Sequence, residues 1–267
     1  IVFHYDKKLD YHPNGLTLEA KFNNKKISKT FFSIGGGAII EEGKETTENQ
    51  LYTKGDPYVA NSAKDLISWC YQSRLKISEL AFQREKVWKS REGIEKDIDL
   101  IIDQMFNSMI NGFNTPGYLP GSIRVKRRAP SMIRNLIGEN IPDNFNEFLD
   151  LINKKTWNFT ETIRLISCVA LAVNEQNAAF GRIVTAPTNG AAGVIPAVMM
   201  YFYLHPYCTD RSKLREFLLV AGQIGHLFKK GATISAAQGG CQAEIGVSSA
   251  MAAAGLTEVL GGSTEQV

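Results

Sequence analysis

From Gly231 to Gly262 more than half of the residues are glycine, alanine or serine, which leaves little side chain to bury per helical turn. Small residues let backbones approach closely, and a surface helix would carry many more charges than this stretch does. The run therefore predicts a helix that is central and packed on all sides, or one that lies against a cofactor. Gly261-Gly262 supplies the stop signal for a helix over 241–260.

The rest of the chain offers material for such packing. Apolar residues make up 44% and charged residues 21% of 267 residues, the balance of a folded globular protein and not of a disordered one. A net charge of +3 from 30 basic and 27 acidic residues makes a weak field, with no general pull toward nucleic acid or anionic lipid. The four cysteines, Cys70, Cys168, Cys208 and Cys241, form no CxxC pair, and a chain of this length folds without disulfide staples, so a reducing cytoplasm is expected. The apolar stretch Val194 to Leu204 is too short to cross a bilayer and contains Pro196. Opening at Ile1 without a start methionine or a leader pattern, the chain reads as a piece of something longer.

Periodicity divides it. Ile1-Val2-Phe3, Leu16 to Phe22 and Thr30 to Ile40 read as strands, with turns at Pro13-Asn14-Gly15 and Asn23-Asn24. After a polar connector, the 3.6-residue period takes over. The expected organisation is α+β: the C-terminal part of a small α/β or β-rich domain over 1–43, a linker over 44–60, and a mostly all-α domain over 61–267. Asn61 or Ser62 caps a helix carrying Leu66, Ile67 and Cys70, and Ser78 caps another. Ile94, Ile98, Ile101, Ile102, Met105 and Met109 share one stripe of a helix ending near Gly112. Asn114 to Pro130 reads as a loop, followed by helices near 144–153, 160–180, 190–204 and 211–229, with Thr160 and Asp210 as N-caps.

Several motifs have chemical potential. In Ser33-Ile34-Gly35-Gly36-Gly37 the glycines can aim backbone N–H groups at a carboxylate or phosphate, or can form a plain turn or bulge. His12 in Tyr11-His12-Pro13-Asn14-Gly15 can exchange a proton or orient a carboxylate, or can be an ordinary turn residue. Thr188-Asn189-Gly190 precedes a helix, where Thr188 or Asn189 can cap it and leave N–H groups for an anion. Cys241, at the start of the small-residue helix, lies where the dipole favours the metal-binding thiolate; the alternative is a buried inert thiol. The basic run Arg124, Lys126, Arg127, Arg128 is short and has no interleaved aromatics, which argues for a solvated or carboxylate-pairing loop.

Taken together and in order, HPNG, SIGGG, NTPGYLPGSIRVKRRAP, NEQNAAFGRIVTAPTNGAAGVIPAV and GATISAAQGGCQAEIGVSSAMAAAGLTEVLGGS resemble the bacterial iron–sulfur-dependent L-serine dehydratases of the single-chain type. The resemblance covers almost the whole chain. It implies a β domain, related to an allosteric substrate-binding domain of a phosphoglycerate dehydrogenase, fused to a helical domain that carries a 4Fe-4S cluster. It also implies a cytoplasmic homodimer that deaminates L-serine to pyruvate and ammonia without pyridoxal phosphate.

By the same resemblance, Cys241 is the first cluster ligand. His12, Asn14, Ser33, Gly35 and Gly36 form the small-domain side of the substrate pocket, and Thr188, Asn189 and Gly190 form the helical side. The base that takes the α-proton is open among His12, Ser33 and Lys126. Family chains carry two further ligand cysteines, in LTCDP-like and VPC-like stretches expected beyond Val267, and an upstream SSHT-like segment. The chain as given thus reads as a fragment lacking both ends, inactive and without the cluster. Two other functions are open. A pyridoxal-phosphate dehydratase would need a Schiff-base lysine, and Lys229-Lys230 lie beside no glycine-rich phosphate cradle. A non-catalytic amino-acid-sensing module would bind serine without turnover.

Overall fold

The computed structural model describes residues 2, 4, 9–35, 38–44, 55–138, 140–208, 210–233 and 235–267. Strands β1 (Gly15–Phe22), β2 (Lys25–Gly35) and β3 (Ala38–Glu41) form an antiparallel sheet in that order. Leu16 faces Phe31 and Phe22 faces Lys25 across the first hairpin. Asn23 and Asn24 take φ of 43° and 61°, and this pair of left-handed residues closes a two-residue hairpin whose twist matches the strands. The expected single strand over Thr30 to Ile40 is instead two strands. The β2–β3 register shifts between Ser33 and Gly35, and Gly35 has a φ of 103°, open to glycine and strained for other residues, so the chain reverses there. Of the expected strand Ile1 to Phe3, only Val2 lies within the described residues, and it is in no strand. The sheet buries Phe32 and Ile40, with the Tyr11 ring 4.9 Å from that of Phe32.

Ten α-helices follow among the described residues: α1 (Ala63–Ser73), α2 (Ile77–Glu85), α3 (Arg91–Asn114), α4 (Ala129–Ile137), α5 (Phe145–Asn153), α6 (Phe159–Ala178), α7 (Val194–Tyr203), α8 (Arg211–Gly231), α9 (Ala236–Gly239) and α10 (Ile245–Val259). The α+β reading holds. Ser62 caps α1 by accepting the N–H of Asp65, and Asp210 caps α8 by accepting that of Ser212. Two expected caps are corrected. The N-cap of helix α6 lies two residues earlier, at a capping box in which Asn158 accepts from Glu161 N and Glu161 accepts from Asn158 N, which puts Thr160 inside the helix. Ser78 likewise lies inside α2, whose first N–H groups are taken by a carboxylate from another helix. Glu258 of α10 accepts from Ile77 N at 3.1 Å and from Ser78 N at 3.0 Å.

Helix α4 occupies part of what reads as loop and its sequel, with Pro130 in its first turn, where the missing N–H costs nothing. A second buried carboxylate serves it: Glu175 of α6 accepts from Arg128 N at 2.7 Å and Ala129 N at 3.4 Å. Within the α3 stripe Ile94, Ile102, Met105 and Met109 are buried, but Ile101 is 41% exposed and faces a groove toward α8. A Cβ on Gly112 would stand 2.5 Å from the Ala172 carbonyl oxygen, so glycine lets α3 cross α6 closely.

The small-residue helix behaves as its composition demands. A Cβ on Gly255 of α10 would lie 2.8 Å from the Phe217 carbonyl oxygen of α8, and one on Gly225 of α8 would lie 2.8 Å from Met251 Cε of α10. Val247, Met251, Ala252 and Val259 bury into the same core as Phe217, Ile195 and Met199. Gly261, with a φ of 96°, ends the helix. Among the described residues no helix is long and apolar enough to cross a membrane.

Charge fastens α3 to α8. Arg215 holds Asp99 in a two-pronged pair at 2.9 and 2.7 Å, and Arg211 adds a contact at 2.9 Å. The Arg215 guanidinium, seconded by Arg211, outweighs burial and holds the Asp99 carboxyl at about 2, below its ordinary 3.8. Because folding lowers this value, the stabilisation is fully present above about pH 4 and is lost as pH falls through about 2. Asp99→Asn is expected to cost about 1–2 kcal/mol at pH 7, allowing for the solvent that screens this partly exposed pair. Denaturant titrations at stepwise lower pH should show the gap to the parent narrowing below pH 4; a gap independent of pH would remove the ion pair from the account.

Candidate functional site

The chain between α8 and α10 folds into a compact knot that the expected continuous helix over 241–260 does not describe. Gly240 takes φ 63° and ψ −163°, a region closed to residues with a side chain, and it breaks the backbone between α9 and a single 3₁₀ turn over Gly240–Ala243. Glu244 then breaks it again at φ −102° and ψ −77°, so α10 proper begins at Ile245. Cys241 consequently sits on an exposed 3₁₀ turn, four residues before the long helix, and not at that helix's first turn. A Cβ on Gly239 would collide with Ala243 Cβ at 2.7 Å and Thr233 Cγ2 at 2.9 Å, which shows how tightly the knot is wound.

One side of the knot meets the sheet. His12 is 5% exposed; its Nδ1 accepts the N–H of Asn14 at 3.1 Å, and its Nε2 lies 3.3 Å from Ser235 Oγ. With Nδ1 accepting, the ring proton is assigned to Nε2, which donates to Ser235. Asn14 O accepts from Ser33 N at 3.0 Å, so the His-Pro-Asn-Gly turn and the start of the glycine turn are neighbours. Ser33 itself is exposed. Gly35 lines a cavity of about 640 Å³ together with Thr185, Pro187, Leu218, His226 and Thr233. Gly36 and Gly37 lie outside the described residues.

The other side meets the loop between α6 and α7, in which the Ala186–Pro187 peptide is cis. Thr188 is 6% exposed and precedes a short 3₁₀ turn, Asn189–Ala191, with α7 beginning at Val194, later than the expected 190. Its side chain makes no cap. Instead Thr188 Oγ1 donates to Glu244 Oε1 at 2.5 Å. Asn189 is fixed by Thr185 Oγ1, which donates to its Oδ1 at 2.5 Å, and by Asn177 Nδ2, which donates to its carbonyl at 3.1 Å. A Cβ on Gly193 would stand 2.4 Å from the Ala170 carbonyl oxygen, so glycine allows the loop to enter α7 against α6.

The knot therefore touches two distant segments: Ser235 meets His12, whose turn bonds on to Ser33, and Glu244 meets Thr188 and Gly190, while Cys241 lies between Ser235 and Glu244 in the chain. Lys126 is not among them. It is exposed, in a loop bridge opposite Tyr118, and none of its described contacts reaches the knot. The 640 Å³ cavity has mainly apolar walls, with Thr185, His226 and Thr233 among its polar members, and is not lined by Thr188, Asn189 or Cys241. His226 in its wall is pushed down to about 4, by burial first and then by Arg84, and is neutral near pH 7.

The cysteines separate by environment. Burial pushes the Cys70 thiol up to about 11 and the Cys168 thiol to about 12, reinforced by Glu258 and Glu175 respectively. Cys208 is raised to about 11 by burial and then by Asp210. These thiols stay protonated and are poor metal donors. Cys241 alone among the four is exposed, on a turn free to present its sulfur. It suits one ligand position of a metal cluster, while no group of three or more metal-binding side chains is assembled among the described residues.

Residues 72–267 match the family described as serine dehydratase alpha chain, and residues 1–44 match serine dehydratase beta chain. L-serine dehydratase TdcG of Escherichia coli (strain K12) is 41% identical over 100% of this chain and 56% of its own length. L-serine dehydratase of Streptomyces coelicolor is 37% identical over 100% of this chain and 56% of its own length. L-serine dehydratase of Helicobacter pylori is 36% identical over 98% of this chain and 55% of its own length. The chain thus spans about half the length of the curated relatives it matches. On the matched alpha-chain segment and on identity to these relatives along its whole length, the chain belongs to the serine dehydratase family.

Proposed function

We propose that the protein of which this chain is part deaminates L-serine to pyruvate and ammonia, with residues 1–43 as the small-domain side and residues 61–267 as the helical side of one substrate site. The observation that carries the reading is that the short segment holding Cys241 is tied at Ser235 to His12 and at Glu244 to Thr188, residues from the two halves of the chain. The names of the relatives, L-serine dehydratase, support the same chemistry.

Cys241 would be one thiolate ligand of a 4Fe-4S cluster, and the further ligands would come from other cysteines of the complete protein. When bound, such a cluster supplies a Lewis acid that draws electron density from the substrate hydroxyl. The chain's own residues bind and orient. Thr188 Oγ1 and the Asn189–Gly190 turn take polar groups of the amino acid, and the glycine turn beside Ser33 offers backbone N–H groups to its carboxylate. His12 keeps its proton on Nε2 and both ring nitrogens engaged, which supports an orienting task for it, holding Ser235 and the knot against the sheet. Loss of the α-proton and of the hydroxyl as water leaves an aminoacrylate, which tautomerises and hydrolyses to pyruvate and ammonia.

The test is anaerobic reconstitution of the complete protein with iron and sulfide, followed by a pyruvate assay. Expected are a broad brown absorption, lost in air, and serine-dependent pyruvate. A pyridoxal absorption band in active protein would overturn the cluster reading. A filled cluster that binds serine without releasing pyruvate would make the protein a sensor.

A further inference from the structure

We infer that Glu244 is a positioning residue that locks the Thr188–Gly190 turn onto the Cys241 turn, an assignment that rests on reading both turns as one substrate site. Glu244 belongs to the Cys241 turn through its backbone. Its N–H donates to the Cys241 carbonyl at 3.1 Å, and its own carbonyl accepts from Ser248 N at 3.0 Å, the first bond of α10. Its side chain belongs to the other turn. Oε1 accepts from Thr188 Oγ1 at 2.5 Å, and the carboxylate lies close to Gly190, where a Cβ would stand 2.6 Å from Oε1 and 3.1 Å from Oε2. Gly190 has no left-handed backbone, and a side chain there would push the Glu244 carboxylate away from its present place. A second tie runs parallel, Ser248 Oγ to the Ala191 carbonyl at 3.4 Å, and cannot replace the first because it leaves Thr188 unheld.

The bond also fixes what Thr188 can do. A hydroxyl has one proton, and that proton is committed to Glu244, so Oγ1 has only lone pairs left to offer. The substrate group it meets is then a donor, the ammonium or the hydroxyl of a small hydroxy-amino acid. Moving Glu244 would both free the Thr188 hydroxyl to rotate and release the turn that presents Cys241 from its tie to the Thr188 loop.

The experiment compares Glu244→Gln, Glu244→Ala, Thr188→Val and the double variant T188V/E244A in the complete protein. Two readouts are taken: the rate at which Cys241 is modified by a disulfide thiol reagent in cluster-free protein, located by peptide mass, and KM and kcat for L-serine after reconstitution. Glutamine keeps an oxygen acceptor for Thr188, so Glu244→Gln is expected within about threefold of the parent in both. Glu244→Ala and Thr188→Val are each expected to speed Cys241 modification by about tenfold, with no further change in the double variant, since both remove the same bond, while KM should rise by about tenfold in Glu244→Ala and further in Thr188→Val and the double variant, which also lose the oxygen that meets the substrate. A glutamine variant as impaired as the alanine variant would overturn positioning in favour of a charge role, and a Thr188→Val protein identical to the parent would show that the bond holds nothing. Thr188→Val leaves Glu244 in place, so it remains decisive if Glu244→Ala does not fold. A parent protein that makes no pyruvate would defeat the proposed function, while the thiol rates would still judge the lock.

Discussion

Cys241→Ala in the complete protein is expected to reduce iron and sulfide retained after anaerobic reconstitution by at least about tenfold and to abolish pyruvate formation. The size of the effect follows from the ligand count. A cluster held by three thiolates and deprived of one has no nearby substitute here, because the remaining described cysteines are held at about 11 or 12 and sit in other parts of the core. Recruiting one of them would require a buried thiol to ionise and a helix to move. Cys70→Ala and Cys168→Ala serve as controls: both remove buried apolar volume and should lower stability somewhat, yet leave iron content unchanged in the folded protein. Normal iron in the Cys241 variant, or lost iron in folded Cys168→Ala, would remove the ligand assignment.

Much of this arrangement is written locally in the chain. The Asn23-Asn24 hairpin is legible because both residues tolerate a positive φ, and the caps at Ser62 and Asp210 are legible because the accepting oxygen is two or three residues from its donor. The central place of α10 is legible from composition, since a helix of such small residues has close approach as its main asset, and α8 takes it up at Gly255 and Gly225.

What escaped local reading depends on partners far away in sequence. Ser78 has the composition of a cap, but Glu258, 180 residues on, already serves that helix end. The reversal after Gly35 and the double break at Gly240 and Glu244 depend on backbone torsions that a run of small residues permits without specifying. Glu244 lies three residues from Cys241, inside a motif that was legible, and its link to Thr188 spans 56 residues. One signal for such residues does exist: a carboxylate isolated in an apolar or small-residue stretch has no solvent to satisfy it and must find donors inside the fold.

That signal is clearest at Glu258, and Glu258→Ala is expected to destabilise the protein by about 3 kcal/mol. Glu258 is the only charged residue of α10, lies in its last turn where the helix dipole disfavours a negative charge, and is 4% exposed. All three conditions oppose it, so the bonds it makes must outweigh them. Truncation leaves the N–H groups of Ile77 and Ser78 buried without an acceptor, at roughly 1–3 kcal/mol each, and removes a negative charge from the start of α2, worth about 0.5–1 kcal/mol. Relief of the carboxylate's own desolvation offsets part of that sum, which is why the expected loss is nearer the lower end. Glu258→Gln keeps one acceptor oxygen and turns an amide donor toward the second N–H, so it should lose about half as much. Urea or thermal unfolding measures both, and the thiol of Cys70 gives a local check. Burial and then the Glu258 carboxylate raise Cys70 to about 11, so its titration should shift downward in both variants while that of Cys168 stays put. An alanine variant within about 0.5 kcal/mol of the parent would mean that α2 finds another cap, and that α10 holds its neighbours by close packing alone.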